Sequence, residues 1–551
     1  MHTRLVILML CICTLVYLLG MQIDLMDVDA AQYASISCEM LANKSFLQVY
    51  DLGRDYLDKP PMLFWLSALS MKIFGINHFA YRLPSFIFAL LAIYSTYRLA
   101  LLYYKKEVAL LAALILASCQ AMFLILHDVR TDTMLMGWVI CSIWQLAEWK
   151  QNKKFIPFTL GCIAIAGGMM TKGPLALMVP VFALGSDWVL KRDWKAFVRW
   201  EFILGIIIIA ILLLPMSYGL YQQFDMHPEK VLYNQNNVSG LRFFYWTQSF
   251  GRITGESTWK EYGSFSFLLQ NMLWSFLPWI IFFLTAIVLE GYQLIKQRFK
   301  LQDNQEWIST GGFIITYCAL GSSQAQLPHY IFIAFPFAAI VTAKFLYTLL
   351  FENSYPKLQN ILSIIHKILF GLLWIALIVL LWWPFVQITK TAALIALVFF
   401  AAFIVMLFAK KLPLPRILLL GAFTIMGINL FLNTAFYPAL LQYQAGSVAG
   451  RFITKNHLPT SKVFIYDFPE GRSFHFYGQS VFAHLDSLQQ MKKGDIILTG
   501  QNNLTAIDSA GFKVTVLQQG GDYHISMLSL RFLNPKKREG QLQKYVLAKL
   551  D

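Results

Sequence analysis

Long apolar stretches recur along most of this 551-residue chain, and they constrain its fold more than any other feature. We interpret about thirteen of them as helices that cross a membrane, since a crossing helix needs roughly 20 mostly apolar residues. Their approximate positions are 4–22, 84–103, 108–126, 133–149, 155–171, 174–190, 202–220, 267–290, 307–321, 329–350, 361–384, 391–409 and 416–433. With 57% hydrophobic and only 14% charged residues, the composition excludes a cytosolic enzyme and a disordered scaffold. The sequence therefore predicts an α-helical polytopic membrane protein.

Basic residues are divided unevenly between alternate short loops, and this asymmetry predicts the orientation of the chain. One set of loops carries many lysines and arginines, at 105–106, 150–154, 191–199, 296–300, 357 and 410–416. The alternate short loops carry few, namely Arg130, Lys172 and Lys390. Because cytoplasmic loops are enriched in Lys and Arg, we place the N-terminus inside and the C-terminus outside. The same asymmetry accounts for the net charge of +15 without a nucleic-acid partner.

Three longer segments fall on the outer side in this topology, at 23–83, 221–266 and 434–551. Within the first, 62–76 is apolar but short, and we expect an interfacial helix that lies along the membrane. The last segment has no long apolar stretch. It alternates helix-like stretches with strand-like runs, and the strand-like runs lie at 462–468, 495–498, 512–517 and 523–528. We therefore predict a transmembrane domain over 1–433, with outer loops at 23–83 and 221–266, and a small outer α/β domain over 434–551. No small-x-small cleavage site follows the first apolar stretch, so we expect it to remain as a membrane helix.

Acidic residues at the outer membrane face are the first indication of function. Asp27 and Asp29 directly follow the first predicted crossing, and Asp128 and Asp132 lie between the third and fourth. An ionisable group at this depth is costly unless it is paired, solvated or used. Each carboxylate alone is explained by ordinary loop hydration, but two acidic clusters on one face favour a site.

Two basic residues of the outer segments are suited to a phosphate group. Lys59 precedes Pro60 and Pro61, which fix the backbone just before the predicted interfacial helix. A lysine there can either reach lipid headgroups or bind the phosphate of a lipid substrate. Arg252 lies in a long outer loop and carries a guanidinium that is well matched to phosphate.

Two outer turns add candidate cavity residues. Lys172 interrupts an apolar run just before Gly173 and Pro174, and His329 and Tyr330 lead into the tenth predicted crossing. A lysine on a tight turn and an aromatic residue of the membrane interface are the simpler interpretations of Lys172 and Tyr330. The chain has no Walker A motif, dinucleotide fingerprint or HExxH motif, so nothing supports nucleotide-driven transport or zinc proteolysis.

Taken in order, these motifs resemble the GT-C glycosyltransferases that use polyprenyl-phosphate sugars. They are similar to the bacterial aminoarabinose transferases of lipid A and the related protein mannosyltransferases. The matching segments are DAAQYASISCEML at 29–41, the Lys-Pro-Pro and Arg-Leu-Pro-Ser stretch at 58–85, TKGPLALMVP at 171–180, LPW at 277–279 and SSQAQLPHYIFIAFP at 322–336. The resemblance covers roughly residues 1–340.

The chain also departs from the family pattern at several positions. The family has Asp-Glu where this chain has Asp29 followed by Ala30, and Arg where it has Gln32. The Glu before Lys-Pro-Pro is replaced by Asp58, and the Lys of the later Lys-Leu-Pro turn by Gln326. Asp27 is a candidate for the second carboxylate, and the donor sugar and acceptor cannot be copied from the lipid A enzyme.

The resemblance implies an inverting sugar transfer on the outer face of a bacterial inner membrane, from a polyprenyl-phosphate donor to a lipid, glycan or protein acceptor. It implies that Asp29 acts as general base, supported by Asp27 or Asp132, and that Lys59 and Arg252 bind the donor phosphate. Further cavity residues would be Tyr33, Asp58, Asp128, Lys172, His329 and Tyr330. No cofactor is expected, although a divalent metal is compatible with the wider superfamily. Two alternatives stay open: a transporter or flippase of lipid-linked sugars, and a binding protein that has lost activity.

Overall fold

Helices dominate the computed structural model, which describes residues 2–248, 250–254, 256, 263–302, 305–385, 390–469 and 471–551, without the side chains of 252, 253 and 390–392. A helix lies at each of the predicted crossing positions. The main helices of this region are Thr3–Gly20, Asp29–Asn43, Met62–Phe74, His78–Tyr103, Lys106–Ala117, Gln120–His127, Thr131–Asn152, Phe155–Lys172, Leu175–Leu190, Glu201–Leu220, Phe267–Ser275, Ile280–Lys296, Ile308–Gly321, Phe335–Leu350, Pro356–Trp382, Lys390–Phe408 and Arg416–Phe431.

Several of these helices are long and apolar enough to cross a membrane. Within the described residues there are seven, or eight if the pair Lys106–Ala117 and Gln120–His127, bent by 52°, counts as one crossing. Shorter apolar helices, among them Leu175–Leu190 and Ile308–Gly321, accompany them. Thr131–Asn152 has the length but carries Asp132 and Glu148, which lower its hydropathy. The chain is thus a helical multi-pass membrane protein, with fewer helices of full apolar length than the thirteen crossings that we predicted.

Arg82 fixes the first outer segment against the membrane helices. Its side chain is fully buried in the helix His78–Tyr103. The guanidinium donates to the carbonyl oxygens of Met21 at 3.0 Å, Asp24 at 3.0 Å and His127 at 2.8 Å. A buried guanidinium must satisfy its donors, and here it does so with backbone from two outer turns. The acidic residues that follow Met21 and His127 are thereby held close to one another.

The C-terminal segment contains a five-stranded mixed sheet. Its spatial order is Ala483–Leu485, Val463–Tyr466, Ile496–Gly500, Gln543–Leu550 and Val514–Asp522. The first three strands run parallel, and the last two pair antiparallel. The helices Ala445–Lys455 and Arg472–Gly478 accompany this sheet. The strand-like runs at 462–468, 495–498 and 512–517 are therefore confirmed.

The strand that we predicted at 523–528 is wrong. Residues Ile525–Met527 form a short 3₁₀ turn instead, and the final strand is Gln543–Leu550. The backbone N–H of Tyr523 donates to the carbonyl of Tyr443 at 2.8 Å, and Ile525 is buried in the core of the membrane helices. Tyr523 and Ile525 pack against the membrane part of the protein, whereas Met527 and Leu528 are exposed, so the alternation of apolar and polar residues here does not mark a strand.

The C-terminal segment contacts the first outer segment through Asp27. The carboxylate of Asp27 accepts hydrogen bonds from the backbone N–H and hydroxyl of Ser473, at 2.9 and 2.6 Å. Gly471 permits this approach, because a Cβ at that position would lie 1.9 Å from Oδ2 of Asp27. Nearby, Arg451 pairs with Asp24 at 2.5 Å. These contacts place the sheet and its helices beside the outer turns that carry the candidate site.

Candidate functional site

A cavity of about 1200 Å³ lies between the outer turns of the membrane helices and the C-terminal segment. Four main stretches meet there: the first outer segment, the turn that follows the predicted third crossing, the turn before the tenth, and residues 472–486 of the C-terminal segment. Its polar lining includes Asp29, Gln32, Asp51, Arg54, Asp55, Asp58, Lys59, Asp128, Arg130, His329, Arg472, His484 and Asp486. Of the predicted site residues, the cavity therefore brings together Asp29, Tyr33, Asp58, Lys59, Asp128, His329 and Tyr330.

Arg130 joins the two acidic clusters within this cavity. Its guanidinium donates to the carboxylate of Asp29 and, at 3.0 Å, to that of Asp128. Asp29 is the first residue of the helix Asp29–Asn43, where the exposed backbone N–H groups also favour a negative charge. One turn further along, burial and then the Asp29 charge raise the pKa of the Tyr33 phenol well above its ordinary value. Tyr33 therefore stays protonated at neutral pH and can donate a hydrogen bond.

Asp132 forms a buried ion pair behind the cavity wall. Its side chain is 2% exposed, and Lys172 lies 2.5 Å from its Oδ1. Nε2 of His329 lies 3.6 Å from its Oδ2. Nζ of Lys172 also sits 4.0 Å from the ring centroid of Tyr330. Neither Asp132 nor Lys172 belongs to the described lining, so they support His329 and Tyr330, which do.

Lys59 lies where the cavity meets apolar side chains of a membrane helix. Its Nζ pairs with Asp58 at 2.6 Å, and the backbone oxygen of Asp58 accepts a hydrogen bond from Gln248. Lys59 also borders a second, small pocket with Pro60 and Pro61, which Met216 and Leu220 close from the helix Glu201–Leu220. A lysine in this place can bind an anion whose apolar tail extends along the helix.

Asp27 points away from the cavity toward the C-terminal segment. It is bound to Ser473 and does not belong to the described lining. Burial raises the pKa of its carboxyl to about 6, although the two hydrogen bonds from Ser473 act in the opposite direction. The side chain of Arg252, predicted to bind phosphate, lies outside the described residues.

Sequence reasoning missed several residues that line the cavity. Arg130 was counted only as a loop charge, although its place between Asp128 and Asp132 was a signal. Arg472 belongs to no motif in the sequence; it contacts Asp51 at 3.2 Å, and Gln32 donates to the same carboxylate at 2.8 Å. No local pattern connects Arg472 with Asp51, which lies more than four hundred residues earlier in the chain.

The charges of the cavity are largely compensated within the protein. Arg130 pairs with Asp29 and Asp128, and Lys59 pairs with Asp58. Among the residues that the structure describes, no three His, Cys, Asp or Glu side chains are grouped closely enough to hold a metal ion. The arrangement can orient a polar substrate between a carboxylate and a cationic, partly apolar edge.

Comparison with known proteins supports the resemblance that the motifs indicated. A family model described as dolichyl-phosphate-mannose-protein mannosyltransferase matches residues 58–218. The undecaprenyl phosphate-alpha-4-amino-4-deoxy-L-arabinose arabinosyl transferase of Erwinia tasmaniensis is 28% identical over 285 residues, which are 51% of this chain and 49% of that protein. A second such transferase, from Sodalis glossinidius, is 27% identical over 347 residues, 61% of this chain and 58% of that protein. The chain thus matches about half to three fifths of the length of these curated relatives.

The fold is similar over the whole chain to that of a solved structure. The crystal structure of ArnT from Cupriavidus metallidurans bound to undecaprenyl phosphate superposes with a TM-score of 0.73. It is 17% identical in sequence, and the match covers 100% of this chain and 98% of that one. The apo structure of the same protein gives the same TM-score. The predicted resemblance to polyprenyl-phosphate-sugar-dependent glycosyltransferases is therefore confirmed, and the helical GT-C fold with it.

Proposed function

We propose, from this shared fold and sequence likeness, that the chain is a glycosyltransferase of a bacterial inner membrane. It would move a sugar from a polyprenyl-phosphate donor to an envelope acceptor, such as a lipid A-like glycolipid, a glycan or a protein, with inversion at the anomeric carbon. The observation that carries this proposal is the placement of Asp29 and Lys59 in one cavity, with Lys59 at its apolar edge.

Asp29 is the residue that we assign as general base. An acceptor hydroxyl or amine has to lose a proton as it attacks the anomeric carbon, and a positioned carboxylate can take it. Asp29 begins its helix at the cavity, and Arg130 fixes the direction of its carboxylate. The guanidinium of Arg130 also donates a hydrogen bond to Asp128, and this second contact prevents it from rotating away from Asp29.

Lys59 is the residue that we assign to the donor phosphate. The leaving group carries negative charge, which a charge-assisted hydrogen bond from the ammonium group stabilises. The apolar side chains beside Lys59, among them Pro60, Met216 and Leu220, would face the first isoprene units of the polyprenyl chain. Arg252 remains a proposed second phosphate ligand on the sequence pattern and the family resemblance.

Asp132 and Asp27 receive supporting roles. The buried pair of Asp132 and Lys172 would hold His329 and Tyr330 at the cavity wall. Asp27 would hold the C-terminal segment against the membrane helices through Ser473. Catalysis by either residue would require it to reach a cavity whose described lining does not include it.

The proposed topology places the cavity on the outer face of the membrane. In this topology thirteen helices cross the membrane, the N-terminus lies in the cytoplasm and residues 434–551 form a periplasmic domain. The uneven distribution of Lys and Arg supports it. A C-terminal alkaline phosphatase fusion should be active and a C-terminal fluorescent protein fusion dark, and the opposite result would reverse the topology.

A reconstitution experiment tests transfer against the alternative of a flippase. The purified wild-type protein in vesicles would receive a labelled polyprenyl-phosphate sugar and an envelope-extract acceptor. We expect labelled sugar on the acceptor without addition of ATP. Movement of the labelled lipid across the vesicle membrane with no transferred sugar would contradict the proposal.

A further inference from the structure

A surface that combines apolar and basic side chains lies on the C-terminal segment, outside the cavity. We call it the apolar-basic patch and define it by Met527, Leu528, Leu530, Arg531, Lys536 and Lys537. Met527 is 72% and Leu530 74% exposed, and the three basic residues are exposed as well. The stretch 524–538 contains four lysines and arginines and no Asp or Glu. Large apolar side chains of this exposure on one short stretch indicate a binding surface.

Arg538 fixes the patch at the end of a membrane helix. Its guanidinium donates to the backbone oxygen of Pro384 and to the hydroxyl of Tyr443, the latter at 3.0 Å. It also lies 4.6 Å from the ring centroid of Phe385. Pro384 comes two residues after the helix Pro356–Trp382, which is long and apolar enough to cross a membrane. The patch therefore lies at the depth where this helix leaves the membrane.

The inner side of the same stretch is packed firmly, so the apolar side chains of the patch cannot turn inward. Phe532 is fully buried in the core that the membrane helices share, and its ring stacks on Tyr523 with centroids 3.8 Å apart. Ile525 is buried in the same core. The stretch has thus already filled its inner contacts, and Met527 and Leu530 remain outside.

We propose that the apolar-basic patch binds the surface of the lipid bilayer, with Met527 and Leu530 among the upper acyl chains and the basic residues on anionic headgroups. Apolar side chains beside Lys and Arg are typical of protein segments that lie in the membrane interface. Basic residues close to the surface attract anionic lipids. Trp382, at the end of the neighbouring helix, is 81% exposed, as expected of a tryptophan in the interface. All charged residues of the patch are positive, and the patch is continuous with the end of this membrane helix. Both features favour a bilayer over a protein partner.

Photo-crosslinking in nanodiscs tests the apolar part of this proposal. Leu530→p-benzoylphenylalanine in the full-length protein should form adducts with phospholipid that mass spectrometry identifies. The control is the same substitution at Val516, which is 45% exposed. Val516 lies six residues, roughly 20 Å, from Asp522, the end of the strand from which the chain continues into the patch. We expect lipid adducts at position 530 and none at 516. Equal yields at the two positions, or adducts with protein alone, would overturn the proposal.

A charge variant tests the basic part, and its readout does not depend on sugar transfer. In the Leu530 crosslinking protein, the yield of lipid adduct should rise when phosphatidylglycerol is added to phosphatidylethanolamine nanodiscs. The double change Lys536→Gln and Lys537→Gln should reduce this rise severalfold, whereas Lys513→Gln at the far end of the sheet should leave it unchanged. An undiminished rise in the double variant would refute a role for the two lysines.

Discussion

Arg130 donates to the carboxylate of Asp29, which lies 101 residues earlier in the chain. The same guanidinium contacts Asp128 at 3.0 Å, so one side chain holds both acidic clusters of the cavity. The sequence placed these clusters on one membrane face but could not show that they meet. Their meeting point gives the proposed base, Asp29, a fixed direction and a compensating charge.

Lys59→Ala should weaken the use of the polyprenyl-phosphate donor more than it disturbs folding. The lost charge-assisted contact is worth about 1.5–3 kcal/mol, which corresponds to roughly 10- to 150-fold in the KM for the donor. Transfer kinetics at varied donor concentration measure this effect. Lys72→Ala is the matched control, because Lys72 is an exposed lysine on the adjacent helix Met62–Phe74. Equal effects of the two substitutions would leave Lys59 as a headgroup contact only.

Asp27 should make the stability of the protein depend on pH between about 4 and 6. Burial raises its pKa from 3.8 to about 6 in the folded protein, so the folded state holds the proton more tightly than the unfolded state. The stabilisation from proton binding is full at low pH and is lost as the pH rises through 6. At 1.36 kcal/mol per pKa unit the loss is up to about 3 kcal/mol.

Asp27→Asn should remove this pH dependence, because the amide has no proton to lose in this range. Thermal unfolding of wild type and variant between pH 4 and pH 7 measures it. Relative to the wild type, the variant should gain stability as the pH rises. Ser473, Arg472 and Asp522 face the same carboxylate and stay unchanged in the comparison. Parallel curves for the two proteins would show that Asp27 does not titrate there.

Gly471→Ala should loosen the contact between the C-terminal segment and the membrane helices. The new methyl group would meet Oδ2 of Asp27 at 1.9 Å, and overpacking of this kind costs about 1–3 kcal/mol. Limited proteolysis of the C-terminal segment and thermal unfolding measure the loss. Gly540→Ala is the control, since a Cβ there meets nothing within 4 Å. Similar behaviour of both variants would mean that Asp27 moves aside freely.

Asp132→Asn should destabilise the fold, because Asp132 is buried behind the cavity wall and does not line the cavity. It leaves the Lys172 ammonium buried without its partner, which costs about 3–5 kcal/mol. The double change Asp132→Asn and Lys172→Met removes both charges and should recover much of the stability. Thermal unfolding in detergent separates these cases. A single variant as stable as the wild type would show that Lys172 is solvated through the cavity.

The sequence predicted where helices lie because their apolar runs stand out, but only seven or eight of the helices within the described residues are long and apolar enough to cross a membrane. A helix lies at each of the thirteen predicted positions, including 267–290, where the structure has two helices that meet near Leu277 and Pro278. The prediction of a strand at 523–528 was wrong because Tyr523 and Ile525, which pack against the membrane helices, alternate with polar residues as they would in a strand. The last strand, Gln543–Leu550, was missed because its continuous apolar run, 545–548, is short and has a lysine on either side within the strand.

The site was predictable only as far as charged residues stand out at a membrane surface. Asp29, Asp128 and Lys59 stand out because ionisable groups at that depth are rare. Arg472 and His484 lie in a polar segment, where such residues are common, and only the tertiary fold brings them to the cavity. Asp27 and Asp29 both follow the first crossing and only the family resemblance distinguished them, yet one faces Ser473 and the other faces the cavity.

The rate of sugar transfer by Asp29→Asn is the most direct test of the account. The amide keeps the size of the carboxylate but cannot accept the acceptor's proton, and a general base contributes roughly 10²–10⁴-fold in rate. With purified protein, a labelled polyprenyl-phosphate sugar and an envelope-extract acceptor, we predict a loss of that size with donor binding retained. Asp27→Asn, whose side chain faces Ser473, should lose far less. Transfer at the wild-type rate by Asp29→Asn, or an inactive Asp27→Asn beside it, would contradict the assignment of the catalytic base.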